Sequence, residues 1–462
     1  MRQQARLRMV MASLLILASA IPNLGNELNI LGSFLNFYRL MVVFLALITL
    51  IVFRGEFRIT ERRSFLLWMG FLSCWLFYGV LLLLLSPYAE AERGTRELFS
   101  ILCGLLSFYI LSNLKLSERE IESVFRVMFW VLAGMLVLGA WEIITGNHLS
   151  SSMFNDPANE VAWRVDTHSA TGFLYNVNDY SALITLMLPV VVGRYRIVFR
   201  RGYLDPGWFL IIATAVINRV NDANFCNAAL VVGVFTYILL HMGGDRRRKG
   251  WVLVAATVLL TGLLVMYFLN DGDSENVVSR TMDLVSRSAE GTGSLHSRLL
   301  IYRDALSAGW LSGFLGMGPG GFSLYYTENP SDSGFINPHS LLLEIFSEYG
   351  LIILLLFIVL LVLLFRNMHR IFLVSKDPTR RVWGQTGMIW IVTYLIVSFA
   401  SSNYLPNSFH WTLLALICLM KETIREEEPE IFAREFEKKE SYANEGLSYN
   451  QRASAGGYPD IP

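Results

Sequence analysis

The sequence predicts an all-α polytopic integral membrane protein of about twelve spans, with a large outer loop before the tenth. Composition, recurrent apolar runs and the placement of basic residues carry that reading. Of 462 residues, 54% are hydrophobic and only 16% charged, whereas a soluble domain ordinarily carries roughly 25%. Mean hydropathy is +0.46. Net charge is zero, so the chain as a whole has no electrostatic footprint for nucleic acid.

Runs long enough to cross roughly 30 Å of hydrocarbon place approximate spans at 8–24, 35–53, 64–86, 97–113, 124–145, 179–193, 207–221, 225–241, 250–269, 341–365, 386–402 and 406–421. The seventh and eighth are separated only by the polar stretch Asn218 to Asn224. Basic connections stay in the cytoplasm, and here alternate connections are basic. They carry Arg54, Arg58, Arg62 and Arg63; Lys115 and Arg119; Arg194, Arg196, Arg200 and Arg201; Arg246 to Lys249; and Arg366, Arg370, Lys376, Arg380 and Arg381. Every lysine falls on that side. Both termini are therefore expected in the cytoplasm.

The first 25 residues imitate a signal peptide, with Arg2, Arg6 and Arg8, an apolar run and Ala18-Ser19-Ala20. The train of spans that follows favours an uncleaved first span. We divide the chain into a transmembrane domain, 1–421, with outer loops 146–178 and 270–339, and a charged tail, 422–462, expected to be partly disordered. No internal repeat is visible. Cys74, Cys103, Cys226 and Cys418 show no paired spacing, so neither a disulfide framework nor a zinc site is expected. There is no Walker A loop, no GxGxxG following a strand and no HExxH helix, and nothing visible requires a cofactor or a metal.

The most informative stretch is Gly316-Met-Gly318-Pro-Gly320-Gly-Phe322, followed by Asn337-Pro338-His339-Ser340 and then Glu344, Glu348 and Gly350. Asn337 suits an N-cap and Pro338 the first helical position. The tenth span is thus expected to begin there, with His339 in its first turn at the outer face. Free N–H groups at such an end favour an anion. Glu344 and Glu348 share a helical face about 140° to 180° from His339. A carboxylate within a span requires a partner or water.

A second constellation, Ser294 to Asp304, has the spacing of an amphipathic helix on the outer interface. Arg298 and Tyr302 share one face, and Arg303 lies about 140° from Arg298. Guanidinium suits bidentate phosphate contact; the alternative is that these arginines meet headgroups or pair with Asp304. Arg219, at the outer end of the seventh span, is either functional or snorkels to the interface. In the first outer loop, Glu142, Gly146, His148, Asn176, Asn178 and Asp179 are given supporting roles.

These residues resemble the O-antigen ligase and O-antigen polymerase superfamily. The Gly-x-Gly-Pro-Gly segment and the Asn-Pro-His339 motif with Glu344, Glu348 and Gly350 carry the likeness. It is most similar to members from teichuronic-acid and exopolysaccharide assembly, and the stretches around Glu142–His148 and Phe173–Asn178 are similar to that subgroup too. The resemblance implies a glycosyltransferase that moves a glycan from a polyprenyl diphosphate carrier to an acceptor hydroxyl. By position, His339 matches the family's catalytic histidine and Arg298 the arginine preceding the glycine motif. Arg303, Arg219, Tyr302, Gly318, Gly320, Glu344 and Glu348 are the further substrate-binding candidates. Two positions depart from the pattern. Asn224 stands where members often carry an arginine, for which Arg219 is the available substitute, and Ser340 stands where many have Asn.

The expected partners are the polyprenyl-diphosphate-linked donor, a glycan or lipid acceptor, membrane lipids and other polysaccharide-assembly proteins, at the outer face of a bacterial cytoplasmic membrane. The rivals are a transporter or flippase of a glycan lipid or small anion, and a non-catalytic assembly subunit. A transporter favours charges near mid-membrane and repeat symmetry, whereas here the charges of interest gather at one face.

The predicted topology has a direct test. Cysteine introduced by Ser333→Cys should react with a membrane-impermeant maleimide in intact spheroplasts. Labelling seen only after membrane disruption would reverse the orientation.

Overall fold

Apolar runs of span length leave the backbone no hydrogen-bond partner except itself, so they fold as helices. In the computed structural model, residues 2–27, 36–53, 62–156, 165–198, 206–241, 294–328, 337–401 and 405–432 are described. Among the described residues the chain is helical throughout, without strands. The main helices are α1 (Arg2–Ala20), α2 (Phe37–Val52), α3 (Arg63–Leu85), α4 (Ala91–Leu114), α5 (Glu118–Thr145), α6 (Val177–Val198), α7 (Pro206–Val220), α8 (Asn224–His241), α9 (Ser294–Leu311), α10 (Gly321–Glu328), α11 (Leu341–Val374), α12 (Pro378–Val397) and α13 (Ser408–Glu427). Residues 242–293, which hold the predicted ninth span, 250–269, and the first part of the loop 270–339, lie outside the described residues.

Of these helices, α3, α4, α5 and α11 are long and apolar enough to cross a membrane, and α2, α7 and α8 are shorter apolar helices. Local signals set several boundaries. At α5, Ser117 and Glu120 form a capping box and Gly146 ends the helix in a left-handed turn, each satisfying backbone groups the helix leaves open. At α12, Asp377 accepts from the Thr379 and Arg380 N–H groups, with Pro378 at the first position. The predicted polar break between the seventh and eighth spans is a turn at Asn221 and Asp222.

Two helices form the centre. From Ser408 to Ile424 every side chain of α13 is buried, and α4 is buried over most of its length. A helix apolar on all sides belongs inside a bundle. Around them, α3, α5 and α11 turn residues such as Leu84, Leu85, Trp130, Ile144, Ile352 and Leu355 outward, as a lipid-facing helix does. An aromatic column ties the layers together. Trp75 of α3 meets Tyr349 of α11 edge-on at 5.3 Å and Trp411 of α13 at 5.9 Å, arrangements that the ring quadrupoles favour.

Polar contacts sort the helix ends into two groups. At one end Arg62 binds Glu426, the Ser64 N–H donates to Glu422, Arg380 pairs with Glu118 and Glu428, and Arg194 pairs with Glu122. These are the ends that adjoin the basic connections. At the other end Ser401 and Asn407 donate to Asp179, the Ser100 hydroxyl donates to the Leu405 carbonyl, and the Leu405 N–H donates to Glu344. The grouping agrees with the up-and-down alternation read from lysine and arginine. It also carries α13 past residue 421: Glu422 and Glu426 are bound to the bundle and the helix runs to Glu427. Residues 433–462 of the tail lie outside the described residues.

Candidate functional site

The site is built around a break. α11 is one helix only in outline, because Gly350 within it has φ 83 and ψ 177. That conformation ends a first half-helix at Tyr349 and restarts the chain at Leu351. Inside a membrane the freed backbone groups must be satisfied by protein, and the glycine segment after α9 does so. The N–H groups of Met317 and Gly318 donate to the carbonyls of Ser347 and Glu348 at 2.8 and 2.9 Å. In return, the Leu351 N–H donates to the Phe314 carbonyl at 2.9 Å. Phe314 itself has a positive φ of 66, a costly backbone for a bulky residue.

This interlock explains two glycines physically. Gly316 has φ +92, and a Cβ there would lie 2.5 Å from the Glu348 carbonyl oxygen. A Cβ on Gly350 would strike the Phe314 carbonyl. The segment is further pinned by the Tyr78 hydroxyl donating to the Leu315 carbonyl at 2.6 Å, the Ser86 hydroxyl donating to that of Met317, and the Glu90 N–H donating to that of Pro319 at 3.2 Å.

Against the interlock lies a buried charge cluster. The Gly320 N–H points between two carboxylates, 3.3 Å from Glu97 Oε2 of α4 and 3.3 Å from Glu348 Oε2 of α11. The Tyr349 hydroxyl donates to Glu97 at 3.2 Å. Arg93, one turn before Glu97, pairs with it at 3.3 Å and reaches across to donate to the Asn337 side-chain oxygen. Glu348, Glu97 and Glu344 all act electrostatically on Arg93. Glu344 is buried too and accepts from the Leu405 N–H at 3.3 Å. The expectation that each in-span carboxylate has a partner is met. Removing the cation of such a buried set costs about 3–5 kcal/mol.

His339 is placed differently from the expectation. The helix begins at Leu341 with Ser340 as N-cap, and His339 stands before it with φ 50. Asn337 does not cap the helix, because Arg93 engages its side chain. The Leu341 N–H is likewise committed, to the Ser398 carbonyl at 3.1 Å, so the start of α11 is less open to an anion than expected. His339 therefore sits on a short strap, 337–340, at the mouth of the half-helix. A non-glycine residue held at positive φ marks strain of about 1–3 kcal/mol, which tends to gather at functional sites.

Gly318, Gly320, Glu344 and Glu348 thus come together beside the strap. The arginines singled out from sequence do not join them as directly. Arg298 falls in the first turns of α9, its side chain outside the described residues. The Arg303 side chain is 66% exposed and lies 3.5 Å from Asp304, the pairing weighed above as its alternative. Arg219 is 73% exposed and pairs with Asp222 at 3.3 Å. Tyr302 packs edge-on against Phe399. Near the end of α5, Glu142 is a structural clamp, accepting from the Thr171 and Gly172 N–H groups at 2.8 Å each, with His148 3.5 Å away. Arg93, Glu97 and Tyr349 were missed by sequence reasoning. Their available signal was the i,i+4 Arg–Glu pair at the outer edge of the fourth span.

Fold and site together define a class: a polytopic α-helical membrane protein whose motif-bearing helix is broken and clasped by a glycine segment. Comparison with known families finds one likeness. Residues 226–358 match the family model described as O-antigen ligase, which supports a kinship of that segment with the O-antigen ligase/polymerase superfamily. The match spans the glycine segment, the strap and the first half of α11. No protein of curated function matches the chain.

The interlock predicts a graded glycine series. Gly316→Ala and Gly350→Ala should each lower the midpoint of thermal unfolding in detergent sharply, through clash and through a left-handed backbone that costs an L-residue about 1–2 kcal/mol. Gly134→Ala, where nothing lies within 4 Å of a new Cβ, should be neutral or stabilising by up to about 1 kcal/mol. Equal midpoints across the three would remove the interlock as a source of stability.

Proposed function

We propose that this protein is a membrane glycan polymerase or ligase, acting on a polyprenyl-diphosphate-linked donor at the outer face of the cytoplasmic membrane. The coarser statement, a membrane glycan-transfer role of the O-antigen ligase/polymerase type, follows from the family match. The observation that carries the finer reading is the position of His339: inside the matched segment, on a strained strap, at the mouth of a half-helix braced by buried charge.

On this reading the acceptor hydroxyl attacks the anomeric carbon of the donor glycan. The new glycosidic bond forms as the bond from that carbon to diphosphate breaks. His339 takes the hydroxyl proton, and the diphosphate leaves with the electron pair, still joined to its lipid. Developing negative charge on the leaving group is the term an enzyme stabilises most effectively, and Arg298 is assigned that task, with Arg303 and Arg219 as exposed cations that draw the donor in. The other substrate-binding candidates, Tyr302, Gly318, Gly320, Glu344 and Glu348, shape the wall behind the strap.

A transporter reading has one observation in its favour, since broken helices line many transport sites. The free carbonyls at this break are already taken by Met317 and Gly318. Transfer by purified protein, with no gradient present, separates the two.

Two substitutions test the chemistry. His339→Ala should lower transfer from a polyprenyl-diphosphate donor in nanodiscs by about 10² to 10⁴, the usual contribution of a general base, while folding and donor affinity persist. Near-normal turnover in the folded variant would strip His339 of that role. Arg298→Lys keeps the charge but loses the planar fork, and most of the activity should go with it. Wild-type turnover there would make Arg298 a headgroup anchor.

A further inference from the structure

Arg93 joins the buried carboxylates to the strap. Its side chain is only 17% exposed and that of Glu97 is fully buried. Two of its nitrogens point to different elements: Nε to Glu97 on its own helix, and Nη2 to Asn337, which precedes His339 by Pro338 alone. Glu97 in turn is held by Tyr349 and shares the Gly320 N–H with Glu348. A planar fork with several donors can hold both partners in one fixed geometry; a point-charge ammonium cannot.

Two further features bear on the strap's placement. Proline at 338 restricts the residue before it to extended backbone, so the position of Asn337 determines where His339 starts. His339 then occupies φ 50, a conformation that persists only when its surroundings over-determine it. The Leu341 N–H bond to Ser398 holds the strap's far side. The Arg93 bond to Asn337 holds the near side.

We propose that Arg93 is a positioning residue for His339: anchored by Glu97, its guanidinium grips Asn337 and sets the backbone from which the imidazole projects. Arg93 acts through Asn337 and takes no part in bond making. The catalytic meaning of this placement rests on the function proposed above; the placement itself does not.

The test reads the imidazole directly. Full-length protein in nanodiscs is treated with diethyl pyrocarbonate, which acylates neutral imidazole nitrogen, and each histidine's modification rate is followed by peptide mass spectrometry. In Arg93→Gln, Arg93→Lys and Asn337→Ala the rate at His339 should rise about threefold or more, the scale of coupling between contacting residues. The double variant Arg93→Gln/Asn337→Ala should rise no further than either single one. His369, near the opposite end of α11, should react at the wild-type rate, which a general loosening of the fold would not allow.

Removing Arg93 strands buried carboxylates, so where Arg93→Gln does not fold, Asn337→Ala and Arg93→Lys decide. A wild-type rate at His339 in the folded variants overturns the proposal, and so does a rise in an Arg93 variant without one in Asn337→Ala. In transfer assays the same variants should lose kcat while the donor KM holds; a raised donor KM with unchanged kcat makes Arg93 a donor ligand instead. If the wild type itself transfers no glycan, the functional reading fails while the labelling result still decides the placement of His339.

Discussion

A helix that stops and restarts at Gly350 inside a membrane has backbone groups that lipid cannot satisfy. The exchange of three hydrogen bonds between that break and residues 314–318 answers this constraint, and much of the site follows from it. For the two backbones to meet, Gly316 and Gly350 must lack side chains. For the segment to stay, α3 and its connection to α4 must present donors to its carbonyls, as Tyr78, Ser86 and the Glu90 backbone do. The motif that looks like a flexible turn in the sequence is a backbone plug.

The plug also accounts for the buried acids. Once the segment is seated, the Gly320 N–H is carried between α4 and α11, away from water, where an acceptor is obligatory. Glu97 and Glu348 provide it from either side. Two carboxylates at one N–H repel each other unless countercharge is near, and Arg93 supplies it from the same helix as Glu97. The guanidinium's remaining reach extends to Asn337. One chain of necessity thus runs from a broken helix to the residue beside His339.

How much of this was legible in sequence depends on the range of the interaction. Spans are local properties of composition, and among the described residues helices cover the predicted apolar runs, from Phe37–Val52 to Leu341–Val374. The need of Glu344 and Glu348 for partners was also legible, because the cost of a lone carboxylate in a span does not depend on the fold. Their partners were not. Leu405 and Gly320 meet them through backbone N–H groups, which carry no residue-type signal at all. The start of α11 was misjudged for a related reason. Asn337-Pro338 has the local chemistry of a helix cap, but Arg93, far away in sequence, competes for the same oxygen and wins it. Local propensity is a weak prior wherever a buried charge makes a rival claim.

The same competition separates the arginines. Arg219, in the polar interruption after the seventh span, and Arg303, on an amphipathic helix, were candidate phosphate ligands, yet each has an aspartate within its own turn and a side chain mostly in solvent. Exposed pairs of that kind hold a side chain only weakly, typically by under about 1 kcal/mol, and leave it able to turn toward a passing anion. Arg93 is the opposite case: mostly enclosed and paired on two sides. A site that handles a lipid-borne anion has use for both kinds. On the function proposed above, loosely held exposed cations would attract charge over a Debye length without committing geometry. A locked cation in the wall spends its charge on shape. Rim cations alone would leave His339 on an unbraced strap, and a locked wall alone would hold the imidazole in place with little to draw the anion toward it.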